Sequence, residues 1–268
     1  MREGEFNNPR LVKVYDAECL WSRDDDFFLS VIDEVPAARV LDLGCGTGRL
    51  TIGIAAAGHT VTGVDPARAS IDEARSKPEA EEVTWIEGTS TVLPDAAFDV
   101  AVMTSHVAQF FTDDDDFRST LTDLKRALIP GGRLVFDSRD PRDRRWERWN
   151  PVDSRHQVTL GGDIDVDIWT EVTAVRDDIV DFTHHYFWST GEELISSASL
   201  RFRSESALRE ALKDTGVTVE AGLWGLAPPT RRRRRRRVPR HRSCVMPWAA
   251  ARNLEGRGNK ERPAHETE

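Results

Sequence analysis

The sequence predicts a doubly wound α/β fold with a mostly parallel sheet, an antiparallel β insertion after the fifth strand, and no terminal strand to close the sheet. Three observations predict it. An apolar run from Arg39 to Leu43 ends in glycines at alternate positions, Gly44, Gly46 and Gly48, and an apolar-periodic segment follows, which reads as a buried strand, a tight turn and a helix start. Short β-branched or apolar runs then alternate with helical segments as far as Asp137, the pattern of βαβ units. Between residues 138 and 203 the periodicity changes to strict alternation, as in Asp163-Ile164-Asp165-Val166-Asp167-Ile168, the mark of a sheet with one face buried.

Taken in order, residues 1–35 form a cap segment that precedes the first strand. It carries Phe6, Leu11, Val12, Val14, Tyr15 and Trp21, then a helical stretch from Phe27 to Val35 opened by Asp24-Asp25-Asp26; acids at a helix start offset its dipole. The core, residues 36–137, continues past the glycines with a helix from Leu50 to Ala57 ending at Gly58, and a strand His59–Asp65. Pro66 then starts a helix over Ala67–Ser76. Strands follow at Val83–Thr89 and Phe98–Thr104, the second almost wholly apolar, as required between two helix layers. Asp113 to Asp116 cap a helix over Phe117–Leu128, and Pro130-Gly131-Gly132 turns the chain into a fifth strand ending at Asp137. The insertion, residues 138–203, reads as strands at 157–160, 164–175, 179–189 and 194–202. They are joined at Gly161-Gly162, Asp177-Asp178 and Thr190-Gly191, as an antiparallel meander forming a lid or a subunit contact. Residues 204–221 return to the core with a helix over Ser204–Thr215 and a sixth strand.

The glycine turn points to a ligand. Glycine lets the backbone pass close to a bound group, and the helix start behind it presents free N–H groups. A dinucleotide fingerprint needs G-x-G-x-x-G; here the sixth position is Arg49. Asp42-Leu43-Gly44-Cys45-Gly46-Thr47-Gly48 resembles motif I of the class I S-adenosylmethionine (SAM) dependent methyltransferases, and Leu128-Ile129-Pro130-Gly131-Gly132-Arg133-Leu134-Val135-Phe136 resembles a fifth-strand pattern frequent in them. Asp42 suits a ligand with a sulfonium and an ammonium and would repel a pyrophosphate. The resemblance spans residues about 6–220. It implies a Rossmann-like sheet, SAM as cofactor and in-line transfer of its methyl group.

The resemblance also implies site residues. Asp42, Gly44, Cys45, Gly46 and Gly48 form the cofactor turn. Asp65, followed by Pro66, lies about twenty residues past the glycines, where a carboxylate accepts both hydroxyls of a ribose; capping of the next helix is its alternative role. Thr89 and Ser90 stand where the family often carries an acid for the adenine amine. Tyr15 and Trp21 belong to a segment that folds over the cofactor, Tyr15 against the cofactor and Trp21 against the substrate. Thr104, Ser105, His106 and Gln109 follow the fourth strand, and ligands of open α/β sheets sit at carboxyl ends of strands. His106 is the candidate general base, because imidazole titrates near neutrality; a structural hydrogen bond is its alternative. Gln109, Trp146 and His185 join Trp21 as candidate substrate contacts. No residues have metal-ligand spacing.

Composition bounds the rest. Residues 1–220 hold 24 Lys+Arg against 42 Asp+Glu, whereas residues 221–268 hold 13 against 4. An acidic body does not suit nucleic acid, so the expected partner is a small-molecule methyl acceptor. No apolar run is long enough for a membrane span, and Cys19, Cys45 and Cys244 make no disulfide pattern, which suits the cytoplasm. Residues 222–268 read as a basic tail unable to supply a seventh strand, with Arg231 to Arg237 at its centre. A shift of reading frame, turning GAC aspartate codons into CGA arginine codons, explains the run. The rival is a genuine tail that binds nucleic acid or anionic membrane by counterion release. Two further readings stand beside the methyltransferase: a non-catalytic protein of the same fold that binds nucleic acid through its tail, and an NAD-dependent oxidoreductase.

Overall fold

The computed structural model describes residues 4–223 and 248–252. Helices α1 (Pro9–Glu18) and α2 (Arg23–Ile32) precede strand β1 (Arg39–Leu43). The chain then alternates through α3 (Arg49–Ala56), β2 (Thr60–Asp65), α4 (Arg68–Ser76), β3 (Val83–Glu87), β4 (Phe98–Met103), α5 (Val107–Phe110), α6 (Asp114–Ala127) and β5 (Leu128–Asp137). Four antiparallel strands follow, β6 (His156–Leu160), β7 (Ile164–Arg176), β8 (Ile179–Trp188) and β9 (Glu193–Arg201). Helix α7 (Glu205–Asp214) and strands β10 (Thr218–Leu223) and β11 (Trp248–Arg252) end the described chain.

The main sheet has the order β10-β11-β5-β4-β1-β2-β3. Strands β3, β2, β1, β4 and β5 are parallel to their neighbours, so five strands run 3-2-1-4-5 and the order reverses between β1 and β4. Ligands of open α/β sheets sit in the crevice at such a reversal, outside the carboxyl ends of the strands. The continuous apolar character of these strands follows from burial on both faces. Leu41, Met103, Leu134 and Phe136 pack with Phe117, Leu121, Leu124 and Leu212 on one side. Val40, Val100, Val102 and Val135 pack with Ile32 and Ile54 on the other.

The helix starts are built as the aspartate runs predict. Ser22 caps α2, its hydroxyl accepting from Asp24 while Asp25 accepts the Ser22 N–H, a capping box. Asp113 accepts the N–H groups of Asp115 and Asp116 at the start of α6.

The insertion forms its own four-stranded sheet in the order β6-β7-β8-β9. Its inward face is apolar. Val166, Ile168, Tyr186 and Trp188 receive Leu11 and Val14 of α1, and Val180, Phe182, Leu200 and Phe202 receive Phe110, Trp146 and Trp149.

Three features differ from the expectation. The cap segment contains a full helix, α1, seated by Asn8, whose side chain accepts the Arg10 N–H, and by Pro9 in the first turn. Pro130-Gly131-Gly132 lies inside a bulged strand: pairing jumps from Phe98↔Leu128 to Val100↔Arg133, with Gly131 at φ +83° taking the left-handed conformation the bulge needs. Most consequentially, the sheet does not lack its terminal strand. Trp248–Arg252 lies antiparallel between β5 and β10, with Trp248 opposite Asp137 and Leu223. The arginine run Arg231 to Arg237 lies outside the described residues. Among the described residues, no helix is long and apolar enough to cross a membrane.

Candidate functional site

A cavity sits at the strand-order reversal, over the carboxyl ends of β1 and β4. It is lined by Tyr15, Cys19, Asp42, the turn from Gly44 to Thr47, Arg49, Leu50, Thr104 and Ser105. The glycines make room for it. Gly44 has φ +79°, and a Cβ there would come within 2.5 Å of a Val107 methyl. Gly46 has φ +53° and nothing within 4 Å of where its Cβ would stand, so the backbone faces open space. Gly48, also left-handed, caps α3 without any side chain.

Asp42 is buried beneath this turn. Its Oδ2 accepts the Thr51 hydroxyl at 2.7 Å, while Oδ1 is buried with no partner. Burial pushes the Asp42 carboxyl up to about 6, the Thr51 hydrogen bond opposing it and the nearby charge of Asp65 adding to it. An orphaned carboxylate oxygen beside a side-chain-free turn calls for a cationic ligand. Asp65 ends β2 with both oxygens engaged, Oδ2 accepting the Gly46 N–H at 2.9 Å and Oδ1 the Ala67 N–H at 2.8 Å. It thus braces the glycine turn and the start of α4, and each oxygen keeps a second lone pair for a hydroxyl. Cys45 and Cys19 are thiols raised by burial, Cys19 to about 12, so neither serves as a nucleophile at neutral pH.

The cap is strapped to this turn. Thr47 donates its hydroxyl to Asp16 at 2.6 Å; Lys77 donates to Asp16 at 2.6 Å and to the Thr47 carbonyl at 2.7 Å. Arg49, the residue that breaks the dinucleotide fingerprint, donates to the carbonyls of Cys19 and Leu20 and pairs with Asp25 at 3.0 Å. Tyr15 thereby lies against the turn, with Phe6 edge-on to it at 5.5 Å. Phe6 also meets Phe110 edge-on at 5.8 Å.

On the β4 side, Ser105 and His106 both have positive φ, +54° and +68°, a conformation costing about 1–3 kcal/mol each for a residue with a side chain. His106 is held there by Asp137, the last residue of β5, which accepts its backbone N–H and pairs with its ring Nδ1. Asp24, in the first turn of α2, belongs to the same neighbourhood. Its carboxyl is raised by burial first and by the charge of Asp137 next, and lowered by His106.

Several predicted contacts are engaged elsewhere. Trp21 lies over Gly53 of α3, where a Cβ would be 2.5 Å from its ring, and donates to Asp26. Gln109 is almost fully buried and spends its amide on the Arg201 carbonyl and the Arg139 backbone and guanidinium. Trp146 packs on Phe202 at 4.5 Å inside the insertion. His185 stacks on Trp169 at 4.8 Å and faces Glu193 and Glu171, on the sheet face opposite Tyr186. Ser90 donates to Asp123 of α6, Thr89 bonds Thr91, and Pro66 is exposed at the head of α4; none of the three lines the cavity.

The histidine neighbouring His185 in the same candidate surface, His184, faces inward instead. His184 bonds Thr170 at 2.9 Å and stands 3.8 Å from Glu5, a carboxyl raised by burial and hydrogen-bonded to Tyr186. The apolar residues at Phe182, Tyr186 and Trp188 already mark even positions of β8 as the buried face. Sequence reasoning missed Asp137, although an acid ending an apolar strand is the same signal that singled out Asp65. No group of metal-ligating side chains occurs among the described residues.

The parallel sheet, its reversal and the glycine turn over a buried acid are those of the Rossmann-like methyltransferase fold. Residues 40–132 match the family model described as a methyltransferase domain. The chain is 36% identical over 103 residues to a cypemycin N-terminal methyltransferase from a Streptomyces species, a stretch covering 38% of this chain and 42% of that protein. It is 27% identical over 213 residues to a malonyl-[acyl-carrier protein] O-methyltransferase from Serratia marcescens, covering 78% of this chain and 76% of that one. The match to the cypemycin enzyme thus spans under half of that relative. In three dimensions the chain is similar to the CcbJ methyltransferase of Streptomyces caelestis, with TM-score 0.69 at 19% identity over 94% of this chain and 99% of that one. It is also similar to a SAM-bound amino pentose methyltransferase from Micromonospora echinaspora, with TM-score 0.67 at 18% identity over 90% and 94%.

Proposed function

We propose that the protein is a methyltransferase that uses SAM to methylate a small-molecule acceptor. The observation that carries the reading is the buried, unpartnered Oδ1 of Asp42 beneath a turn whose glycines leave the backbone open. A zwitterion with a sulfonium satisfies that oxygen, and a pyrophosphate does not. Asp42, the Gly44–Thr47 backbone, Tyr15, Thr104 and Ser105 would hold the cofactor, with Asp65 toward its ribose.

When bound, SAM supplies an electrophilic methyl group whose bonding electron pair returns to sulfur. The chain's own contribution is to exclude water with the strapped cap, to orient the acceptor at the carboxyl ends of β4 and β5, and to remove a proton. The relatives' names include an N-terminal and an O-methyltransferase; hydroxyls and ammonium groups alike carry a proton at neutral pH, and we assign His106, beside the cavity residues Thr104 and Ser105, as the base that takes it. The acidic body and the insertion over the site support a small acceptor rather than a nucleic acid. Arg49 stands where an oxidoreductase would need its third glycine, and the tail that would serve a nucleic-acid binder lies outside the described residues.

Calorimetric titration with SAM, followed by release of S-adenosylhomocysteine from a panel of amines, alcohols and phenols, tests this. One-to-one SAM binding with turnover of at least one acceptor is expected. Binding of NADH without SAM overturns it.

A further inference from the structure

Resting on the methyltransferase reading, we propose that Asp137 is the positioning residue of a His106–Asp137 dyad. By fixing the ring's tautomer and direction it leaves Nε2 of His106 as the proton acceptor for a nucleophile that arrives protonated, whether a hydroxyl or an ammonium.

The geometry carries this. Strands β4 and β5 are hydrogen-bonded neighbours, with Met103 opposite Phe136, so the residues just past their carboxyl ends share one rim of the site. Two consecutive left-handed residues, Ser105 and His106, bend the chain back over that rim. Asp137 then makes three contacts to one residue. Its Oδ1 and Oδ2 lie 3.1 Å and 3.2 Å from the His106 backbone nitrogen, and Oδ2 also meets the ring Nδ1. The backbone contact fixes where the ring begins and the Nδ1 contact fixes which way it turns. A carboxylate can only accept, so Nδ1 carries the proton and Nε2 holds the lone pair. Among the described residues Nε2 has no protein partner, and the His106 side chain keeps 12% of its surface open while that of Asp137 keeps 5%. A surface ion pair would not be this enclosed.

Asp24 of α2 lies close enough for its carboxyl to feel the charges of both Asp137 and His106. In the step itself, an ammonium first gives a proton to Nε2, which frees its lone pair, whereas a hydroxyl gives its proton as it attacks. The lone pair then forms the new bond to the methyl carbon and the sulfur–carbon bond breaks with its electrons returning to sulfur. The proton stays on Nε2, where the Asp137 carboxylate balances the charge until water removes it. This is the logic by which an acid orients a histidine base in hydrolases, assembled here on the rim of a parallel sheet.

The test uses the whole protein without cofactor. Nitrogen-15 NMR of the His106 ring above its titration point should show Nδ1 protonated and Nε2 unprotonated; the opposite tautomer overturns the proposal. In Asp137→Asn the Nδ1-protonated tautomer should no longer dominate. The plateau of kcat should fall about 10²- to 10⁴-fold while the melting midpoint stays near that of the wild type. SAM affinity should stay within about twofold, and Asp137→Glu should recover part of kcat. A fall in activity that tracks the folded fraction, with an unchanged ring tautomer, overturns the proposal. Failure of the wild type to bind SAM would defeat the methyltransferase reading instead, and the tautomer measurement separates the two.

Discussion

The two halves of the site are built by different means. The cofactor half, around β1 and β2, is a run of neighbours: Asp42, Gly44, Gly46 and Gly48 lie within seven residues, and their backbone does most of the work. The proposed acceptor half draws on β4 and β5 for His106 and Asp137, with α2 bringing Asp24 near them. Its parts meet because β4 and β5 pair side by side and α2 packs against the sheet. A site written in consecutive residues depends on local backbone shape, whereas one assembled across elements depends on packing. The two should therefore fail in different ways.

The largest effect belongs to the glycine turn. Gly44→Val places side-chain atoms onto Val107 in a left-handed backbone; strain and overpacking together cost about 3–5 kcal/mol. SAM binding should be lost together with stability, visible as a lower midpoint in thermal melting. Gly46→Ala sharpens the contrast. Its Cβ meets no protein atom, so only the left-handed strain, about 1 kcal/mol, should appear in the melt, while SAM affinity drops at least tenfold because the methyl occupies the ligand's approach.

Asp42 gives an effect of opposite sign on folding and on binding. Its carboxyl is raised from 3.8 to about 6 in the folded chain, so the folded state holds its proton more tightly than the unfolded state. The ligand-free protein should consequently gain about 2 kcal/mol as pH falls from 6 to 4 from this group alone. SAM needs the charged carboxylate, so its affinity should fall over the same window. Chemical denaturation and calorimetry at several pH values check both, and in Asp42→Asn both dependences should vanish.

A smaller effect is expected from the strap. Asp16→Ala removes the acceptor shared by Thr47 and Lys77; these partly exposed contacts are worth about 1 kcal/mol together. SAM dissociation, followed by stopped-flow fluorescence of the cap tryptophan, should quicken several-fold with little change in kcat. His185→Ala provides the smallest effect, within about 0.5 kcal/mol in stability and none on turnover, because its ring stacks on the outward face.

This difference between the halves also explains what the sequence disclosed. The parallel core was legible because strands buried on both faces must be apolar throughout, and the meander because strands buried on one face must alternate. The glycine turn was legible because glycine adopts those φ values without the strain a side chain would bring. Trp21, Trp146 and Gln109 were chosen for their chemistry, and their positions are decided by packing: one covers a glycine on α3, one fills the insertion's core, one spends its amide on backbone. Strand β11 was missed because Trp-Ala-Ala-Ala-Arg has little strand propensity of its own; β5 and β10 on either side give it its hydrogen bonds. That strand matters to the acceptor half, since it flanks β5 along its length as far as Asp137.

The account rests on the glycine turn over Asp42 being a SAM site. Isothermal titration of the full chain with SAM at pH 7.5, repeated with NADH, tests it most directly. One-to-one binding of SAM, weakened at least tenfold at pH 5 and by Gly46→Ala, with no heat from NADH, is the expected result. Absence of SAM binding in a folded protein, or binding indifferent to both pH and Gly46→Ala, would contradict it.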